Sequence, residues 1–184
     1  MKSIVIIAKG PSAIDADKFI MHGDHIAVIN DAGRLIPEKK IKYMFFSHDT
    51  IFPHLDHLQN RLEFAVSRKQ NNIAMDRMPS WIKEKHIAFN DWDCDGDTGS
   101  LHQRLLGGGI MSHHTTTAAI HWLAKIMKYD RIRIIGVDGG LAYAGDLERT
   151  PSLPCDLDLF MQIAKRVARI CENVYGTEFE WHHK

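Results

Sequence analysis

The stretch SIVIIAKGPSAIDADKF, residues 3–19, decides the fold. Residues 3–8 form an aliphatic run with no polar alternation, the pattern of a strand buried on both faces of a parallel sheet. Lys9-Gly10-Pro11-Ser12 interrupts the run. Ser12 followed by Asp15 has capping-box spacing, with aspartate in place of glutamate, so a helix is expected from near Ala13 that carries Ile14 and Phe19 inward. Two readings of the turn compete. As a phosphate cradle, Gly10 admits close backbone approach and the amides of Ser12 and Ala13 sit at a helix N-terminus. As a capped corner it needs no ligand: Pro11 supplies no donor, and the spacing matches neither the dinucleotide fingerprint nor the P-loop.

Further along, residues 25–30 and 41–47 read as a second and third strand. Their ends, VINDAG and FFSHDT, place Asn30, Asp31, Ser47, His48 and Asp49 just past strand C-termini, where open α/β sheets bind ligands. The same residue types also favour turns and helix caps. Short strands are expected near 62–66 and 86–89, followed by an irregular insertion at about 90–112. From Thr115 a helix is expected, because Ala118, Ala119, Trp122, Leu123, Ile126 and Met127 recur at three- and four-residue spacing. RIRIIGV, residues 131–137, is a late strand closed by Asp138-Gly139-Gly140. A candidate lid at 139–154 precedes a long helix with Leu157, Phe160, Ile163, Ala164, Val167, Ile170, Cys171 and Val174 on one stripe and Gly176 as its stop. Residues 179–181 add a final strand. The expected fold is one α/β domain over residues 1–184, Rossmann-like, a mostly parallel twisted sheet with helices on both faces.

A chain of 184 residues that is 45% hydrophobic buries one core comfortably. Lysine plus arginine and aspartate plus glutamate both total 23, so the basic excess that would bind nucleic acid or an anionic membrane is missing. The aliphatic run before Lys9 is too short for a signal sequence, and no run approaches the ~20 residues of a membrane span, so a cytoplasmic protein with no membrane partner is expected. Cys94, Cys155 and Cys171 form no CxxC pair and read as ordinary small residues in a reducing compartment. Residues 91–96, DWDCDG, imitate half a calcium loop, but its twelfth position is His102 and not glutamate. His113, His114 and His121 lack the spacing of a helical zinc pair, and His182 with His183 reads as a strand end, so no metal site is assigned.

A third polar group joins the strand ends. Ser112 and Thr115-Thr116-Thr117 mark a helix N-terminus able to hold a carboxylate or phosphate, and Asp138 is poised for a sugar, base or metal. N-capping and turn initiation are the structural alternatives.

Taken together, VIIAKGPSAIDADKF (5–19), HIAVINDAGRLIPEKKIKYMFFSHD (25–49) and TTTAAIHWLAKIMKYDRIRIIGVD (115–138) resemble, in order and spacing, the bacterial sialyltransferases of glycosyltransferase family 42. They are also similar to the wider family that contains the archaeal 6-hydroxymethylpterin diphosphokinase and the motility-associated flagellin-glycosylating proteins. The resemblance implies nucleotide contacts from Gly10, Ser12, Asn30, Thr115, Thr116 and Asp138, with Ser47 and Gly139 beside them. Lys9 stands where those sialyltransferases carry asparagine, which implies added positive charge toward the nucleotide phosphate or ribose. Gly139-Gly140 replaces their aromatic pair, leaving Tyr143 to compensate. Their histidine base follows the aspartate strand, yet residues 141–156 contain no histidine. His48 and His114 are the candidate bases here, with Asp138 as the third catalytic candidate.

The expected activity is therefore glycosyl transfer from a CMP-type nucleotide sugar to a soluble acceptor, with no other cofactor. One alternative is ATP-dependent pyrophosphoryl transfer to a small molecule, which alone calls for Mg²⁺, held by Asp49 and Asp138. The other is a non-catalytic nucleotide-binding module. A homo-oligomer is compatible with each.

Overall fold

The computed structural model of the chain describes residues 1–69, 76–92, 109–111, 114–139, 143–145, 147 and 157–182. Five strands come first: β1 (Ser3–Ile7), β2 (His25–Ile29), β3 (Ile41–Phe46), β4 (Leu62–Arg68) and β5 (His86–Phe89). After β6 (Asp91–Trp92) and β7 (Ile110–Met111) come β8 (Arg131–Ile135) and β9 (Glu178–His182). Seven of them make one sheet in the order β5-β4-β3-β2-β1-β8-β9, parallel throughout, while β6 and β7 pair with each other. This is the expected Rossmann-like α/β architecture.

Strand pleating divides the core in two. Ile4 and Ile6 face α3 (Thr115–Lys125) and α4 (Leu157–Tyr175), packing with Trp122, Leu123, Ala164 and Val167. Val5 and Ile7 face the other way, toward Ala13, Ala16, Leu55 and Leu58. All four β1 aliphatics are fully buried, each worth about 1.5–3 kcal/mol by area removed from water. That double burial explains why the run does not alternate.

The second face departs from expectation. In place of a helix begun at Ala13, a 3-10 segment (Pro11–Asp15) leads into a single turn of α-helix, α1 (Ala16–Phe19). Ser12 does not cap it; its hydroxyl accepts instead from the Gly136 amide, 2.9 Å away. Ile14, expected inward, is 57% exposed. Short 3-10 segments (Asn30–Leu35, Asp49–His54 and Asp56–Leu58) and α2 (Ser80–Lys83) cover the rest of this face. Pro53 interrupts the segment after β3.

The strands expected near 62–66 and 86–89 are β4 and β5, which extend the main sheet, and β9 closes its far edge. Gly176 ends α4 in the left-handed region at φ +72, its amide bonded to Glu172 O at 3.0 Å. Of the candidate lid, residues 139, 143–145 and 147 are described, and Ala144 and Leu147 are buried in the second core. Ser112, His113, His183, Cys94, Cys155, Gly140, and most of the insertion with its half calcium loop lie outside the described residues. Among the described residues no helix is long and apolar enough to cross a membrane, and no three histidine, cysteine or acidic side chains gather to hold a metal.

Candidate functional site

Strand order reverses at β1, whose neighbours β2 and β8 belong to chain segments running outward in opposite directions. In parallel α/β sheets the ligand crevice opens there, beyond the strand C-termini. The C-terminal ends of β8, β1, β2 and β3 carry Asp138, Lys9-Gly10, Asn30-Asp31 and Ser47-His48 along one edge. Three strand spacings separate the first from the last, roughly 14 Å, long enough to lay a nucleotide along the edge.

The Gly-Pro-Ser turn is locked onto β8. The Gly10 amide donates to Gly136 O at 2.8 Å, the Ser12 amide to Asp138 Oδ2 at 2.7 Å, and the Ala13 amide to Gly10 O at 3.0 Å. Pro11 has no amide hydrogen, so every donor of the turn is committed within the protein. A Cβ on Gly10 would fall 2.6 Å from Asp138 Oδ2 and 2.7 Å from Gly136 O, which is why only glycine fits. The turn thus brings β1 against β8 and aims the Asp138 carboxylate, with no open amide for phosphate.

Lys9 is also engaged within the protein. Its ammonium is 2.9 Å from Asp31 Oδ1, with the two side chains only 10% and 8% exposed, and lies 5.2 Å from the Tyr143 ring centroid. Asp31 therefore neutralises the charge that the sequence promised to a ligand. The Lys9 carbonyl accepts from the Ala144 amide at 2.8 Å, so the chain after β8 folds back over the end of β1. Tyr143 reaches the site through this return.

Open donors gather at α3. His114 caps it: Nδ1 accepts from the Thr117 amide at 3.4 Å, while Nε2 lies 3.1 Å from the carbonyl of Phe160, whose ring stacks on the imidazole at 4.4 Å. The Thr117 hydroxyl lies 3.2 Å from Nδ1 and 2.8 Å from Nε2. Both nitrogens are thus held in structural contacts. The backbone amides of Thr115 and Thr116 belong to the first turn, where no intrahelical acceptor exists, and they have none among the described residues. The Thr115 hydroxyl is 2.8 Å from Ser47 Oγ, tying the helix start to the end of β3. Asn30 takes up a left-handed backbone at φ 54, and its half-buried side chain makes no hydrogen bond to described residues.

His48, one residue beyond Ser47, is half-buried. Burial first, then the Arg68 guanidinium, hold it below the usual histidine value against a smaller opposing pull from Asp49. Asp49 lies 3.6 Å from Arg77.

Two participants have partners that the sequence did not indicate. Asp31 was noted only as a strand-end residue, although an aspartate buried this deeply requires a cation. Asp158, in the first turn of α4, lies against Gly139, where a Cβ would overlap its Oδ1. Nothing in the sequence connects these two residues.

The class that this fold and site define is a Rossmann-like parallel α/β protein with its crevice at the β1/β8 switch point. No protein-family model matches the chain, and no curated protein matches it. Among solved structures it is similar to the sialyltransferase CstII from Campylobacter jejuni, determined in complex with a substrate analogue, cytidine-5′-monophosphate. The match covers 98% of this chain and 79% of that one, at 16% identity and a TM-score of 0.55. At that identity the likeness holds for the fold alone.

Proposed function

We propose that the chain is a nucleotide-dependent transferase that moves a glycosyl group from a CMP-type sugar to an acceptor hydroxyl. The observation that carries this reading is the open N-terminus of α3, whose Thr115 and Thr116 amides stand beside Ser47 on the same sheet edge as Asn30. The donor phosphate lies against those amides, where the helix terminus favours negative charge. Asn30 and Ser47 contact the nucleotide and sugar, and Asp138, oriented by the Ser12 amide, accepts from ribose or sugar hydroxyls. Gly10 and Gly139 leave room for the Asp138 and Asp158 carboxylates at the crevice. Lys9 serves by holding Asp31 and Tyr143.

In the reaction the acceptor hydroxyl loses its proton to a base, its oxygen bonds to the anomeric carbon, and the bond from that carbon to the phosphate oxygen breaks. The departing phosphate is stabilised by the α3 amides. His48 is the base, because its neutral imidazole has a lone pair to receive the proton. His114 caps α3 and positions the phosphate site. The likeness to a sialyltransferase solved with cytidine-5′-monophosphate supports the choice of nucleotide.

Calorimetric titration with CMP, UDP and ATP, each with and without Mg²⁺, tests the reading. Metal-independent preference for CMP is expected. Preference for ATP with Mg²⁺ would replace it with pyrophosphoryl transfer. CMP binding without turnover of any CMP-sugar, in the presence of varied soluble acceptors, would favour a non-catalytic module.

A further inference from the structure

At the opposite edge of the sheet, Arg61 immediately precedes β4, and its carbonyl accepts from the amide of Ile41, the first residue of β3, at 2.8 Å. A cleft of about 560 Å³ opens here, lined by Arg34, Pro37, His57, Asn60 and Arg61. It lies at strand N-termini, whereas the switch-point crevice lies at strand C-termini.

The cleft is cationic, with no matching anion among the described residues. The Arg61 guanidinium donates to four backbone carbonyls, those of His57, Ile36, Lys39 and Gly33, at 2.8–3.2 Å. These bonds use four of its five N–H groups and leave the charge uncompensated. Among the described residues no carboxylate reaches ion-pair distance of Arg61 or Arg34. Glu38 acts on Arg61 only at longer range. Asp31, the acidic group that acts on His57, is already paired with Lys9. Arg34 and Asn60 are exposed, with their planar donor groups uncommitted among the described residues. His57 Nε2 is shielded from solvent and has no hydrogen-bond partner among them.

Two adjacent guanidinium charges, one with its whole fork open, match a small dianion better than a lone carboxylate. We infer that this cleft binds the phosphoryl group of a small molecule, with Arg34 and Asn60 donating to its oxygens and Arg61 supplying a fixed countercharge. The inference is independent of what occupies the switch-point crevice.

NMR of the full chain, following the His57 imidazole and Arg34 Nε signals during titration with inorganic phosphate at constant ionic strength, tests it. A saturable shift is expected, with affinity reduced about tenfold or more in Arg34→Ala and less in Asn60→Ala. Both variants alter exposed side chains, so folding is retained, as circular dichroism checks. Thr116→Val, at the other edge, leaves this shift unchanged. CMP and a sugar phosphate as further probes distinguish a nucleotide-borne from a sugar-borne phosphoryl group, and tighter binding of either supports the site. Shifts no larger than chloride produces, or a shift that survives Arg34→Ala at full affinity, would overturn it.

Discussion

Lys9 decides how the turn beside it works. An ammonium and a carboxylate withdrawn from water together tolerate removal of both charges better than of one. Lys9→Met strands the Asp31 charge, and urea unfolding is expected to register a loss of about 3–5 kcal/mol. Lys9→Met combined with Asp31→Leu recovers most of that loss; an equal or larger deficit in the double variant would show that the pair is not the cause. Gly10 is constrained by space. Adding a methyl 2.6 Å from Asp138 Oδ2 pushes β1 and β8 apart, so Gly10→Ala is expected to cost about 1–3 kcal/mol and to weaken CMP binding. The requirement for glycine was legible in the sequence, but its cause was not: the obstructing atoms belong to residues more than a hundred positions away.

At the scale of elements, α3 carries the proposed phosphate site and α4 holds α3 in place through the Phe160 contact with His114. Thr116→Val removes a half-buried hydroxyl with no hydrogen-bond partner among the described residues and keeps the side-chain volume. CMP affinity is expected to drop several-fold to about tenfold, with the thermal midpoint nearly unchanged. The end of α4 offers a purely conformational test. Gly176 has φ +72, and no atom of its surroundings lies within 4 Å of the place a Cβ would take. Gly176→Ala is therefore expected to cost about 1 kcal/mol from backbone strain alone, read as a lowered urea midpoint. Both long helices were legible because their apolar stripes repeat at helical spacing. The short 3-10 segments were not, since Ser12 and Asp15 imitate a helix cap while Ser12 is engaged by Gly136 on a distant strand.

Across the whole molecule, buried and half-buried histidines link folding to pH. His25, His48, His57, His86 and His121 all lie below the ordinary 6.5, chiefly through burial, and His121 is pushed down to about 3 beside Tyr175. Because the folded values are the lower ones, the unfolded chain takes up these protons first. Their contribution is complete above about pH 6.5 and is lost as pH falls, for His121 down to about 3. Each fully linked histidine adds a slope of about 1.4 kcal/mol per pH unit. Urea midpoints should therefore decline from pH 7 to pH 5, less steeply in His121→Gln. A level profile would contradict neutral burial of these rings.

The sequence by itself determined the parallel α/β class, because a strand buried on both faces shows as an unbroken aliphatic run, and β1 and β8 both carry one. It also located the polar residues that end β1, β2, β3 and β8, since strand ends follow from where those runs stop. Tertiary structure alone decided which donors remain open. A hydrogen bond is used once, and the partners that take up the Ser12 amide, the Lys9 charge and the His114 ring come from β8, the segment after β2, and α4. Those pairings depend on strand order and helix packing, which local sequence spacing does not encode. They shift the proposed phosphate site from the Gly10 turn to the start of α3.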